Sequence, residues 1–229
     1  MNSVNAKKNI IAASFALGTL GLSSPLSAHA QDLKTLSGYQ PTILQSNDMA
    51  DSLYRSLPTK VFSGGSGCYQ RAHNWAFRMN NHHSIKTMKV FLFFTERYKR
   101  EFDYKWMYHV APLVPVRQAD GSIEEMVLDP TFVTAPSWIT SENLQYFDNK
   151  PIPIKRWLRY FIVPKVECPV VENYADYFDY QERYYCYVMK TPMYTYIPEN
   201  IESETEVRTQ WREGDLKQML KAYKLEYRP

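Results

Sequence analysis

The sequence predicts an α+β domain, because one strong helical pattern is followed by a series of strand patterns. Helical spacing of apolar residues begins at Cys68, and an apolar β-rich run covers Met88–Phe94. Alternating segments at 106–116 and 123–128 flank a tight-turn signal. With 229 residues, 45% of them hydrophobic, the chain is long enough to bury one sizeable core.

The first thirty residues have the pattern of an export signal. Lys7 and Lys8 precede an apolar stretch at 10–22, and Ala28-His29-Ala30 is a small-x-small cleavage site. The stretch is short for a membrane span, although an uncleaved anchor is the alternative. We expect cleavage after Ala30, a single domain over 31–229, and a secreted or periplasmic protein without a stable membrane anchor.

Charge argues against nucleic acid as a partner. The 27 basic and 24 acidic residues give a net charge of +3, and the signal contributes two of the lysines and no acid. The remaining chain is close to neutral and has no Lys/Arg run, so it lacks the electrostatic surface that binds phosphate backbones.

The helix that begins at Cys68 follows a weakly periodic segment at 31–60 and a glycine-dense loop at 63–67. Its apolar positions fall on one face. These positions are Cys68, Ala72, Trp75, Ala76 and Met79. The polar segment 80–84, which contains His82 and His83, is expected to end the helix as a loop.

The strands that follow bring a histidine and an aspartate together. His109 lies in the 106–116 segment, whose prolines indicate an irregular edge or a bulge. Asp120-Gly121 is a hairpin turn, and Asp129 ends the returning strand. Because the two strands are neighbours, the two side chains can meet.

The rest of the chain is predicted to hold two further helices. Ser137 can cap a helix that ends near 147. Pro-rich loops and a tyrosine-rich stretch at 174–187 follow, and a charged amphipathic helix at 213–223 closes the chain.

Three cysteines form an odd set in an exported chain. Cys168 and Cys186 lie in one region and are suited to a disulfide, which leaves Cys68 as a lone thiol. A buried inert thiol or an intermolecular bridge is the alternative for Cys68.

Cys68, His109 and Asp129 together suit nucleophilic catalysis. A helix N-terminus and a nearby histidine both favour a thiolate, and a carboxylate can orient the histidine. Glycine-rich backbone can approach a substrate and donate N–H groups to an oxyanion.

Three segments resemble the core motifs of bacterial protein glutaminases: GCYQRAH at 67–73, WMYHVA at 106–111 and VLDPT at 127–131. The resemblance implies a papain/transglutaminase-like fold, with the helix headed by the catalytic cysteine on an antiparallel sheet. It implies that Cys68 is the nucleophile, His109 the base and Asp129 its partner, and that glutamine side chains of proteins or peptides are hydrolysed to glutamate and ammonia without a cofactor.

Other residues are candidates for lesser roles. Ser66, Gly67, Trp106 and Tyr108 are expected to bind substrate or to stabilise the oxyanion, although an aromatic residue on a strand is more often core. His73 is expected to pack on the helix flank rather than to act on Cys68. His82 and His83 lack a ligand set, so we expect no metal site.

The same triad also serves transglutaminases and papain-like proteases, and the sequence does not separate these from a deamidase. A non-catalytic protein-binding module is the rival from another class. We expect a monomer whose partner is a protein or peptide bearing an exposed glutamine.

Overall fold

A computed structural model describes residues 38–58, 67–130, 149–163, 166–171, 183–199 and 210–224. This part of the chain contains five helices and five strands. The helices are α1 (Asn47–Ser56), α2 (Cys68–His83), α3 (Glu96–Phe102), α4 (Ile154–Phe161) and α5 (Glu213–Ala222). The strands are β1 (Met88–Phe94), β2 (Tyr108–Arg117), β3 (Ile123–Val127), β4 (Ile152–Pro153) and β5 (Cys186–Pro192).

The five strands form one antiparallel sheet in the order β4-β3-β2-β1-β5. In the register, Leu92 of β1 lies opposite His109 of β2 on one side and Val188 of β5 on the other. Every side chain of β1 is buried, because helices or loops cover both faces of the sheet. The predicted α+β class, with a helix headed by Cys68 on an antiparallel sheet, is confirmed.

Helix α2 buries the predicted apolar face. Ala72, Trp75, Ala76 and Met79 are at most 1% exposed, whereas Cys68 at the first position is half-buried. The helix is longer than predicted, because residues 80–83 are helical rather than a loop. Ser84 ends it in the left-handed conformation (φ 54°), and its N–H bonds back to Asn80.

Strand β2 lies between β1 and β3, and its register with each of them runs without an inserted residue, so the predicted irregular edge or bulge was wrong. The strand tolerates its prolines because their backbone atoms face residues outside the neighbouring strands. The carbonyl oxygens of Pro112 and Pro115 accept from the N–H groups of Leu128 and Leu44, each at 2.9 Å, and neither donor lies within β1 or β3. In a strand, the N and O atoms of one residue point to the same side. The N–H groups that Pro112 and Pro115 lack would therefore point to positions beyond the ends of β3 and β1, where no strand hydrogen bond is lost.

The hairpin between β2 and β3 follows the predicted turn. Gly121 has φ 85°, a conformation that favours glycine. The Asp120 carboxylate accepts from both the N–H and the hydroxyl of Ser122, at 2.9 and 2.6 Å. The turn sets the register that places Leu113 opposite Val127, and Asp129 follows two residues later.

Four described elements were not predicted: helices α3 and α4 and strands β4 and β5. Helix α3 begins at the cap residue Thr95, whose hydroxyl accepts from the Tyr98 N–H at 3.2 Å. Helix α4 and strand β4 lie where the sequence suggested proline-rich loops, and strand β5 begins at the end of the tyrosine-rich stretch. The C-terminal helix was predicted correctly as α5.

The predicted disulfide between Cys168 and Cys186 is confirmed, with a Cα–Cα distance of 4.8 Å. It attaches the segment 166–171 to the first residue of β5. Next to it, the Val171 N–H donates to Val188 at 2.8 Å. Cys68 is the free cysteine.

Several predictions concern residues outside those that the structure describes. These are the signal at 1–30, most of the glycine loop with Ser66, the helix from Ser137, and positions 174–182 of the tyrosine-rich stretch. No helix in the described ranges is both long and apolar enough to cross a membrane.

Candidate active site

The site is built around a contact between His109 and Asp129. His109 lies near the start of β2, and Asp129 lies just beyond β3. The imidazole Nε2 is 2.7 Å from Asp129 Oδ2, and the side chains are 0% and 5% exposed. The hairpin therefore brings together the two residues that the sequence suggested would meet.

Aromatic rings enclose the His109 imidazole. Phe161 lies 4.6 Å away between ring centroids, Trp106 lies 5.5 Å away, and Trp157 is stacked at 5.6 Å. Such a setting excludes water from the histidine–aspartate pair and strengthens the interaction between them.

The imidazole has an altered proton affinity. Burial alone would lower the pKa of His109, but the charge of Asp129 and hydrogen bonds with Asp129 and Cys68 outweigh burial. Together they raise the pKa of His109 to about 9. At neutral pH the imidazole is therefore mostly protonated and can donate a proton.

Cys68 lies within hydrogen-bond reach of the imidazole. It is the first residue of α2, where N–H groups have no partner within the helix and the dipole is positive. Its Sγ lies 3.8 Å from the backbone oxygen of Tyr108, the residue before His109. Because Nε2 is occupied by Asp129, Nδ1 is the imidazole nitrogen that can serve the thiol.

Gly67 directly precedes Cys68 and is tightly enclosed. A Cβ at this position would lie 2.3 Å from Cε1 of the Tyr69 ring, so a side chain would displace that ring. The Gly67 N–H donates to Oε1 of Gln70 at 2.8 Å. Its predicted oxyanion role stays a prediction, and it would require Gln70 to release this amide.

Trp106 and Tyr108, the two aromatic candidates, are both half-buried and flank His109 in sequence. The Tyr108 ring lies 6.0 Å from both Phe91 and Phe93. Burial first, and then the charges of Cys68 and Glu199, raise the pKa of Tyr108 above its usual range. Tyr108 is therefore a neutral hydroxyl near the thiol, and its role in substrate binding stays a prediction.

The three other histidines in the described ranges lie outside the site. His73 is fully buried, with Nδ1 2.7 Å from Lys89 Nζ and its ring 4.8 Å from that of Tyr196. His82 and His83 are exposed in the last turn of α2. Among the described residues, no three His, Cys, Asp or Glu side chains are grouped as a metal site.

Sequence reasoning missed the residues that hold Asp129. The indole Nε1–H of Trp157 donates to Asp129 Oδ2 at 3.0 Å, and the Tyr54 hydroxyl lies 3.4 Å from the Asp129 backbone oxygen. A signal for α4 was present, since Ile154, Trp157, Leu158 and Phe161 have the i, i+3, i+4, i+7 spacing of an amphipathic helix.

Comparison with known proteins agrees with the three motifs. Residues 47–142 match a family model described as glutaminase. The match covers less than half of the 229 residues but includes Cys68, His109 and Asp129. Among curated proteins, no sequence matches significantly.

Two solved structures are similar to the chain at low identity. The NMR structure of protein-glutaminase from Chryseobacterium proteolyticum shares 14% identity, covers 80% of this chain and 88% of its own, and has a TM-score of 0.46. A crystal structure of protein-glutaminase shares 14% identity at 81% and 89% coverage, with a TM-score of 0.48. The similarity in sequence is confined to residues 47–142, which resemble the glutaminase family.

Proposed function

We propose that the protein is an exported protein glutaminase that hydrolyses glutamine side chains through Cys68, His109 and Asp129. The observation that carries the proposal is the buried His109–Asp129 pair beside a free thiol at a helix N-terminus. The three residues fall within the glutaminase match. Asp129 supplies a fixed negative charge, His109 a mobile proton and Cys68 the nucleophile.

In the first half-reaction, the Cys68 thiolate attacks the carboxamide carbon of a glutamine side chain. The N–H of Cys68, in the first turn of α2, needs no partner within the helix and can donate to the developing oxyanion. Protonated His109 gives its proton to the amide nitrogen as the carbon–nitrogen bond breaks. Ammonia leaves, and a γ-glutamyl thioester remains on Cys68.

In the second half-reaction, water replaces ammonia. Neutral His109 takes a proton from the water as its oxygen attacks the thioester carbonyl. When the carbon–sulfur bond breaks, glutamate is released, and the proton on His109 restores the starting thiolate–imidazolium pair. Asp129 stabilises the imidazolium in both steps without accepting its proton.

The position of the Cys68 thiol restricts which glutamine-containing substrates can react. A glutamine side chain has to extend to a half-buried thiol while its backbone stays outside. Flexible or unfolded segments allow this at little cost, whereas a glutamine in a helix or strand has to open locally. We expect peptide-bound glutamine to be preferred over free glutamine, and asparagine to be too short.

Ammonia release tests the proposal. The mature chain and Cys68→Ala would be assayed on a blocked glutaminyl peptide, the matching asparaginyl peptide, free glutamine and a denatured protein. We expect Cys68→Ala, His109→Ala and Asp129→Ala each to lower the rate by orders of magnitude, with Asp129→Ala the mildest. Near-normal turnover by Cys68→Ala would rule out a cysteine enzyme.

The products separate the rival activities. Cross-linked protein in the presence of a lysine donor would indicate a transglutaminase, and shortened chains would indicate a protease. An alkylation-reactive Cys68 without any turnover would favour a binding module. Equal or better rates on free glutamine would indicate a small-molecule amidase.

A further inference from the structure

Asp129 receives two donors on one oxygen. Oδ2 lies 2.7 Å from His109 Nε2 and 3.0 Å from Trp157 Nε1. The first contact belongs to the proposed triad. The second comes from α4, an element that follows the triad segments in sequence and has no part in the reaction itself.

Trp157 is suited to hold a carboxylate in place. It is 1% exposed. The indole nitrogen can donate a hydrogen bond but cannot accept one, so in this contact Trp157 is always the donor and Asp129 the acceptor. Its ring also stacks on His109 at an interplanar angle of 29° and contacts Phe161 at 5.0 Å. One side chain therefore touches both partners of the buried pair.

We infer that Trp157 is a positioning residue of the triad: its indole N–H fixes the Asp129 carboxylate in the orientation that holds the His109 imidazole toward Cys68. This inference rests on the proposed function. A hydrogen bond to an ionised group is about twice as strong as one between neutral groups, and it is stronger still where water is excluded. Removing the donor leaves the carboxylate buried with one fewer partner.

The other groups around Asp129 lead to a definite pH effect. Tyr54 of α1 contacts its backbone oxygen, and Tyr160 of α4 lies within the range of its charge. Burial first, and then Asp129, raise the pKa of Tyr160 above its usual range, so Tyr160 stays neutral throughout the assay range. His109 is thus the neighbour that titrates. A carboxylate that has lost the indole donor is protonated more readily, so the triad fails at a higher pH on the acid side.

The chain offers a matched control in Trp75. It is also 1% exposed, and its Nε1–H donates at 3.0 Å, but to the backbone oxygen of Pro58 rather than to the triad. Trp75→Phe and Trp157→Phe each remove one buried indole hydrogen bond and keep an aromatic ring. Both are expected to lower stability, and only the second is expected to change the chemistry.

The experiment measures ammonia release from a glutaminyl peptide by the mature chain, Trp157→Phe and Trp75→Phe between acid and alkaline pH. In Trp157→Phe we expect kcat to fall about ten- to thirty-fold and KM to change little, as for one lost hydrogen bond to a charge. The acid limb of kcat/KM should move to higher pH. Equal kcat and equal acid limbs in the two variants, per folded molecule, would overturn the inference.

Two additions keep the test decisive. If Trp157→Phe does not fold, the sulfur analogue of tryptophan, β-(3-benzothienyl)-alanine, placed at 157 removes the N–H while keeping the ring shape, and the same changes are expected. If no chain releases ammonia, the proposed function fails. The inference is then tested by alkylation of Cys68 with iodoacetamide, whose acid limb should still move in the position-157 variant and not in Trp75→Phe.

Discussion

At the scale of single residues, the proton on His109 determines how the site responds to pH. The imidazole is buried, yet Asp129 and Cys68 raise its pKa to about 9. In the proposed reaction, a proton that stays bound in the neutral range is available to the departing ammonia.

This altered pKa predicts an alkaline limb in activity. We expect kcat/KM to decline as pH rises through about 9, where His109 loses its proton. Asp129→Asn removes the charge that opposes burial, so its alkaline limb should move to lower pH. The measurement is kcat/KM for ammonia release against pH in both proteins, and coincident alkaline limbs would contradict this role of Asp129.

The protonation of His109 should also make the stability of the fold depend on pH. Because the folded pKa is raised above the ordinary value of 6.5, the contribution of protonated His109 is fully present below pH 6.5 and is lost as pH rises through about 9. Denaturant unfolding between these values should show a loss of roughly 3 kcal/mol in the free energy of unfolding, and a smaller loss in Asp129→Asn.

At the scale of elements, the start of α2 depends on a glycine whose backbone is unstrained. Gly67 has φ −62°, so alanine is excluded only by the Tyr69 ring. We expect Gly67→Ala to lower both activity and stability, since the ring and the helix start have to shift. Gly214→Ala in α5 is the control, because a Cβ there meets no atom within 4 Å.

A double variant separates the clash from loss of the glycine itself. Tyr69→Ala removes the obstructing ring, so the effects of the two substitutions should not add: Gly67→Ala should cost much less in the Tyr69→Ala background. Strictly additive losses in unfolding free energy would show that the ring is not the obstacle.

The elements also show what the sequence can predict and why. Helix α2 and the β2–β3 hairpin were predictable, because a one-sided apolar pattern and an Asp-Gly turn are local signals. Strand β5 was missed because all seven of its positions are buried, so it shows no alternation. Helix α4 was missed because Pro151 and Pro153 dominated the reading of an eight-residue helix.

The residues of the candidate site also fall into those that the sequence predicted and those that it did not. Cys68, His109 and Asp129 were predicted as catalytic residues because such roles require particular residue types, and the hairpin correctly indicated that His109 and Asp129 meet. Trp157 was missed because a tryptophan in a helix is compatible with any core, and only the fold shows that its N–H reaches a carboxylate.

At the scale of the whole molecule, the disulfide fixes the segment 166–171 to the sheet. The two cysteines are 18 positions apart in sequence. In the chain-entropy model, reduction of a disulfide that closes such a loop should lower the free energy of unfolding by about 3 kcal/mol. Neither cysteine contacts His109 or Asp129 in the described contacts, so turnover per folded molecule should persist. Unfolding curves with and without reductant, in a Cys68→Ala background, measure the loss.

Thiol mapping provides the complementary test. Without reductant, one thiol per chain should react with iodoacetamide, and peptide analysis should locate it at Cys68. Labelling of Cys168 or Cys186, or a bridge that includes Cys68 in active protein, would contradict the pairing.

The position of β1 between β2 and β5 has a consequence for how the chain acquires its fold. Strands β1 to β4 are made before β5, so one edge of β1 has no strand partner until Cys186–Pro192 has been synthesised. That edge belongs to the run MKVFLFF, which carries a single charge and is completely buried in the finished sheet. An open apolar edge pairs readily with other chains. Strand β5 therefore covers the open edge of β1. We expect the protein to be most prone to aggregation in the interval before β5 pairs with β1.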